Sequence, residues 1–414
     1  MDEPTAPLEH ASHHENEIGD TPRFFSVFAL LRDILLVCLR FVTLTSWYRW
    51  STVRIKPSQV TEYPVETREE REPSEESPSD RSLEKSSKLT SVNFESDMPL
   101  QPAFYKWTLS TLHNASSSLT KVAIECEGLP TSTCISLLQD LSLPMLEDLH
   151  FDIVILEDQP PASQDAQFSE AVREFFLRHP NISSLKWDFA GRISSALLPR
   201  MDIPVLSNLV FLEAHPRWIV NLLGMLESVP DALSRLETVV VRAMASREHF
   251  NYGQYDPALG SIANLGIDRN ISLELYFPNS KDEMGIDSWL SEHVQLGCGG
   301  SVVSSLACVS TLEVSFSLFL NLKAETVARI PQWLKLFPCL HHVIFPDQFE
   351  ALLENPRKRI FVEDLVRSSP RLQTLRIERE VIDLSIIRGG LDCGNPLPYS
   401  DDWEKGAFNT IMHG

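Results

Sequence analysis

The 414-residue chain predicts an α/β solenoid, with parallel strands along one face and helices along the other. Three observations point there. A short strand phrase, L-x-x-L-x-φ with φ apolar, recurs nine times between residues 119 and 377. Its anchors lie 24–39 residues apart, the length of one strand-plus-helix unit. Proline stands two positions ahead of the anchor in five of the nine, where it ends a helix and opens an extended segment.

The strands come first. Their anchors are Leu119, Leu146, Ile182, Leu206, Leu236, Asn270, Val309, Leu340 and Leu372. Side chains alternate along a strand, so the apolar positions form a core face and the intervening x positions the opposite, concave face. The proline frame rests on Pro144, Pro180, Pro204, Pro338 and Pro370. Helical spacing of apolar residues follows at Phe168–Arg178, Trp218–Val229, Ile286–Gln295 and Ala324–Phe337, and more briefly at Val362–Ser368. No such unit buries its apolar face alone; stacking does it.

The x positions supply the candidate contact residues: Glu147, His150, Asp152, Lys186, Asp188, Arg242, Glu274, Tyr276 and Arg376. Trp187 and Phe189 alternate with Lys186 and Asp188 and read as core. Acids outnumber bases on this face, which favours a basic segment of a protein partner through long-range attraction.

Phrases such as LSLPMLEDLHFD and SSPRLQTLRIE resemble the divergent, proline-marked leucine-rich repeats of fungal F-box-type proteins. The resemblance covers Leu119 to Ile377, although the Asn or Cys that usually comes after the strand is mostly missing. It implies a protein-interaction module and, more finely, a substrate receptor of a cullin-type ubiquitin ligase that docks on a Skp-type adaptor. An F-box often opens Leu-Pro-x-Glu-Ile-Leu. Here Leu31-Arg32-Asp33-Ile34-Leu35-Leu36 is similar, with Arg in place of Pro. Alternatively, Val37-Cys38 is similar to the module's closing residues, and Trp50-Ser51-Thr52-Val53-Arg54-Ile55 to the segment just after it. Both matches do not fit one full module. Leu31, Ile34, Leu35, Cys38, Trp47 and Trp50 are the adaptor-docking candidates that the resemblance implies.

The rest of the chain divides by composition and charge. Residues 1–22 are an acidic tail, 23–55 an apolar helical segment, and 56–97 a linker rich in Pro, Glu and Ser. The repeat domain is expected over 98–384, with a cap or tail at 385–414. The formal net charge is −21, yet residues 21–55 hold five Arg against one Asp. Phe24–Leu44 has the length of a membrane span. Arg32, Asp33 and Arg40 oppose that reading, at about 3 kcal/mol each in the membrane centre. A docking helix fits better, and a membrane tether at 24–44 stays as the alternative.

Catalytic and cofactor motifs are absent. There is no phosphate-binding G-x-x-x-x-G-K-[ST], no G-x-S-x-G elbow and no H-E-x-x-H. Leu296-Gly297-Cys298-Gly299-Gly300 reads as a turn. Seven scattered cysteines without a Cys-x-x-Cys suit free thiols in the cytoplasm or nucleus. The acidic balance excludes nucleic acid as a partner of the repeat body, because phosphate neutralisation needs clustered cations. The expectation is a non-enzymatic interaction protein with no cofactor and no metal.

Overall fold

A computed structural model describes residues 53–57, 89–155, 162–190, 206–225, 233–242, 251–278, 285–317, 322–346, 349, 355–377 and 380–392. All of them belong to one compact unit, Ser51–Gly414. Twelve strands form a single sheet in strict chain order. They are β1 (Val53–Pro57), β2 (Leu89–Phe94), β3 (Lys121–Leu129), β4 (Asp148–Ile155), β5 (Ser184–Ala190) and β6 (Phe211–Ala214), then β7 (Thr238–Arg242) and β8 (Ile271–Phe277). β9 (Val309–Phe316), β10 (His342–Phe345), β11 (Thr374–Ile377) and β12 (Glu380–Asp383) complete it. Strands β2 to β11 run parallel, and β1 and β12 pair antiparallel at the two ends.

Between the strands lie α1 (Pro102–Asn114), α2 (Thr131–Asp140), α3 (Ala162–Arg178), α4 (Pro216–Met225) and α5 (Tyr255–Ala263). α6 (Gly285–Gly300), α7 (Ala324–Leu334), α8 (Asn355–Ser368) and α9 (Leu384–Asp392) come after them. Each crossover moves one strand along in the same direction. Right-handed connections therefore put every crossover helix on one face of the sheet. This is a leucine-rich-repeat-like solenoid, and among the described residues no crossover helix lies on the other sheet face, where Ala123, Glu213 and Val240 are nonetheless buried.

The burial pattern records that asymmetry. Along β4, Leu149, Phe151 and Ile153 are fully buried, and their neighbours His150 and Asp152 are half-buried. β8 repeats it with Leu273, Leu275 and Phe277. Under β4 to β6 the core is aromatic: Trp187 lies 5.4 Å from Phe151, 5.0 Å from Phe176 and 6.0 Å from Trp218, centroid to centroid. Trp187 and Phe189 are both in the core.

A short turn precedes several of the parallel strands and sets their frame. The N–H of Leu146 donates to the carbonyl of Leu143 at 3.0 Å, and Leu236 to Leu233 and Leu372 to Ser369 do the same at 3.0 and 3.1 Å. The equivalent bond before β6 runs from Leu209 to Leu206, at 2.9 Å. The true anchor there is Leu209, so the expected anchor Leu206 is three residues early. Register agrees, since Ser184 pairs with Phe211 and Leu185 with Leu212. Pro204 suggests a false frame, because Leu206 itself closes the turn with a left-handed φ of 59°. The other eight anchors hold their frame, and seven are buried; Asn270 is exposed and bonded to Ser310.

Successive turns are stapled to each other. Asn181 Nδ2 donates to the Pro144 carbonyl at 2.9 Å, Asn208 Nδ2 to that of Pro180 at 3.2 Å, and Arg371 to that of Pro338. These bonds satisfy carbonyls at the strand entrances.

The sheet also starts earlier than composition suggested. β2 lies inside the stretch assigned to a linker, because Val92 and Phe94 bury their side chains although charged residues surround the segment. Val53, Arg54 and Ile55 belong to β1 and not to a helix. The described part of the C-terminal region, up to Asp392, extends the sheet unit through β12 and α9, with Leu384 and Ile387 buried. Helices α1, α2 and α5 also precede anchors, and α6 is interrupted at Gly297, where φ is 60°. Among the described residues no helix is long and apolar enough to cross a membrane. The segment 24–44 and the docking candidates Leu31, Ile34, Leu35, Cys38, Trp47 and Trp50 lie outside the described residues.

Candidate functional site

The face opposite the helices is built by parallel register, which sets its residues on neighbouring strands side by side in rows. One row runs His150, Lys186, Glu213, Val240, Glu274 and Glu313 from β4 to β9. A second row, two residues further along, places Glu125 beside Asp152 and Asp152 beside Asp188, with Arg242 beside Tyr276 on β7 and β8. Neighbours in a row stand about 4.8 Å apart. At that distance, on a half-dry surface, charges act strongly on one another.

In the middle of the face two cations share one carboxylate. Glu213 is nearly buried, and its two oxygens accept from Lys186 Nζ at 2.7 Å and Arg242 at 2.8 Å. Burial opposes its ionisation, but these two cations hold the carboxyl below the ordinary range. Arg242 also lies over the Tyr276 ring at 5.3 Å and Lys186 over Phe211 at 5.9 Å. At the β3 edge Lys121 pairs with Asp148, and His150 Nδ1 lies 3.3 Å from Glu125. Burial pushes the His150 imidazole down, against the pull of Glu125.

The flanks are different. Asp188 has a buried Oδ1 with no hydrogen-bond partner among the described residues. Burial, with Asp152 beside it, pushes its carboxyl up to about 7. Burial also raises Asp152. On the other flank, burial and then the neighbouring Glu313 raise Glu274, which accepts from Ser315 Oγ at 3.1 Å. Among the described residues these carboxylates lack a cation at contact distance.

Of the expected contact residues, the sheet gathers His150, Asp152, Lys186, Asp188, Arg242, Glu274 and Tyr276 on this patch. Glu147 stands outside it: it precedes β4, where its carbonyl accepts from the N–H groups of Ser183 and Ser184. Arg376 lies on β11, two strands beyond Glu313 and separated from it by Ile344. Glu213, the hinge of the charge network, was missed. The three-residue error at Leu206 caused this, because an odd slip moves every side chain of a strand to the wrong face.

A second polar cluster sits among the helices. His293 Nδ1 is 2.9 Å from Ser301 Oγ and its Nε2 is 3.2 Å from Asp256 Oδ1, which also accepts from Trp289 Nε1 at 2.8 Å. The residue types are those of a nucleophile triad. However, Ser301 and His293 are buried, and Ser301 Oγ accepts from the Val303 N–H as a helix cap. The cluster clamps α5 and α6 to the turn at Val302–Ser305. Among the described residues no group of three or more His, Cys, Asp or Glu is arranged to hold a metal ion.

No protein-family model matches the chain, and no curated protein matches it. Among solved structures, the leucine-rich-repeat-containing protein LegL7 from Legionella pneumophila is similar to it at 13% identity. That match covers 75% of this chain and 93% of LegL7, with a TM-score of 0.41.

Proposed function

We propose that the chain is a protein-interaction module whose sheet face opposite the helices, from β3 to β9, receives a basic segment of a partner. One observation carries this reading. The face holds partly dehydrated carboxylates that, among the described residues, have no cation at contact distance, beside a middle where Lys186 and Arg242 share Glu213. Such groups cost free energy until a positive partner arrives. A solenoid face is a rigid platform for that purpose, since each row is fixed by backbone register.

The test is fluorescence anisotropy of labelled peptides with the full chain. A peptide rich in Arg and Lys binds, and binding weakens as salt is raised from about 50 to about 200 mM, as screening requires. Equal binding of an acidic peptide of the same length overturns the reading.

A finer version makes the module the substrate receptor of a cullin-type ligase, with residues 24–46 docking on a Skp-type adaptor. Its support is the phrase Leu31-Arg32-Asp33-Ile34-Leu35-Leu36 or, alternatively, Val37-Cys38 with Trp50–Ile55. A pull-down with the adaptor decides it. The unaltered chain is retained and the double variant Ile34→Asp, Leu35→Asp is lost. No retention of the unaltered chain removes the ligase version and leaves the interaction face standing.

A further inference from the structure

The unmatched carboxylates are not spread evenly over the face. Apart from Glu125, which has His150 Nδ1 at 3.3 Å, they form two pairs. Asp152 and Asp188 are register partners across β4 and β5, and Glu274 and Glu313 across β8 and β9. Between them lies the Lys186–Glu213–Arg242 network, in which both Glu213 oxygens are occupied. That centre offers a cation no vacant carboxylate, and Lys186 and Arg242 repel one. The face is therefore negative, positive, negative across its strands.

The spacing comes from the sheet. The two pair centres are four strand steps apart, about 19 Å at roughly 4.8 Å per step. The pairs also differ by two residues along the strands, about 6.6 Å, which makes the separation about 20 Å. An extended peptide covers that distance in about six residues, at roughly 3.3 Å each. A helix needs about thirteen, and would turn its second cation away unless the count also suited its period.

We infer that the face selects an extended peptide bearing two cationic side chains about six residues apart, one on Asp152–Asp188 and one on Glu274–Glu313, with no cation between them. The inference rests on the interaction reading above and adds its geometry. Arginine suits both ends better than lysine, because its flat guanidinium can donate to two carboxylates at once. A glutamate or aspartate near the peptide's middle adds affinity by facing Lys186 and Arg242.

The test uses the full chain and fluorescein-labelled peptides of Gly, Ser and Thr carrying two arginines. The arginines are placed two, six or ten positions apart, and a peptide without arginine serves as the blank. Anisotropy at pH 8 is expected to show the six-position peptide binding about tenfold tighter than the other two. Asp188→Asn and Glu313→Gln, each checked for an unchanged urea midpoint or a higher one, erase that preference; Arg376→Ala, outside the patch, preserves it. Equal affinity at all three spacings overturns the two-anchor geometry while the basic-partner reading survives. Binding of none of the arginine peptides overturns both.

Discussion

The two faces of β5 show how one strand serves two ends. Leu185, Trp187 and Phe189 point to the helices and are buried among aromatic rings. Lys186 and Asp188, one residue away, point to the open face, where Lys186 is bonded and Asp188 Oδ1 has no partner among the described residues. The covered face is satisfied by packing alone. The open face is satisfied only in its middle, and that difference separates what holds the fold from what is available to a partner.

The largest effect expected from breaking this contrast is on the covered face. Trp187→Ala should cost about 3–5 kcal/mol in urea unfolding, through lost burial and a cavity. Trp187→Phe should cost far less, because Trp187 Nε1 has no hydrogen-bond partner among the described residues, and the smaller ring removes that donor. On the open face, Asp188→Asn should stabilise the protein by about 1–3 kcal/mol at pH 8. The sign comes from the raised carboxyl. With its folded value near 7, the charged form is penalised in full above that pH. The penalty fades as pH falls toward the ordinary carboxylate value, so the gain from Asn shrinks with it.

His179 gives the opposite slope. Burial pushes it down to about 4, and both ring nitrogens are used in the neutral form: Nδ1–H donates to the Phe175 carbonyl at 2.7 Å and Nε2 accepts from the Leu143 N–H at 2.9 Å. Its stabilising contribution is complete above the unfolded value near 6.5 and is lost as pH falls toward 4. An unfolding series from pH 8 to 4 should therefore steepen in Asp188→Asn, where the compensating carboxylate is gone. Glu213→Gln should cost about 1–2 kcal/mol by leaving Lys186 and Arg242 with a weaker acceptor, and should weaken binding of basic peptides. The smallest effect is at the turns. Asn181→Ala should cost about 0.5–1.5 kcal/mol, with binding unchanged.

Much of this was legible in the chain. The recurring phrase located nine of the twelve strands, because an apolar face against helices imposes a period of two that composition cannot hide. β1, β2 and β12 escaped because they are short or set among charged residues, so that averaging over a window erased them. The candidate patch was mostly legible for the same reason as the strands: once the frame is known, alternation assigns the face. It failed at Glu213, where Pro204 offered a convincing but wrong frame and the turn at Leu206 was invisible.

The sequence alone thus determined the class of fold, the core positions and the acid-rich character of the open face, since each is a matter of residue type and local period. Which charges neighbour one another was decided by the tertiary structure. Glu213 meets Lys186 and Arg242, and Asp152 meets Asp188, only because parallel register carries residues 27 to 36 positions apart in the chain to neighbouring strands. A one-residue change in that register would exchange the faces. Hydrogen bonds between backbones, and the turn geometry that starts each strand, fix it.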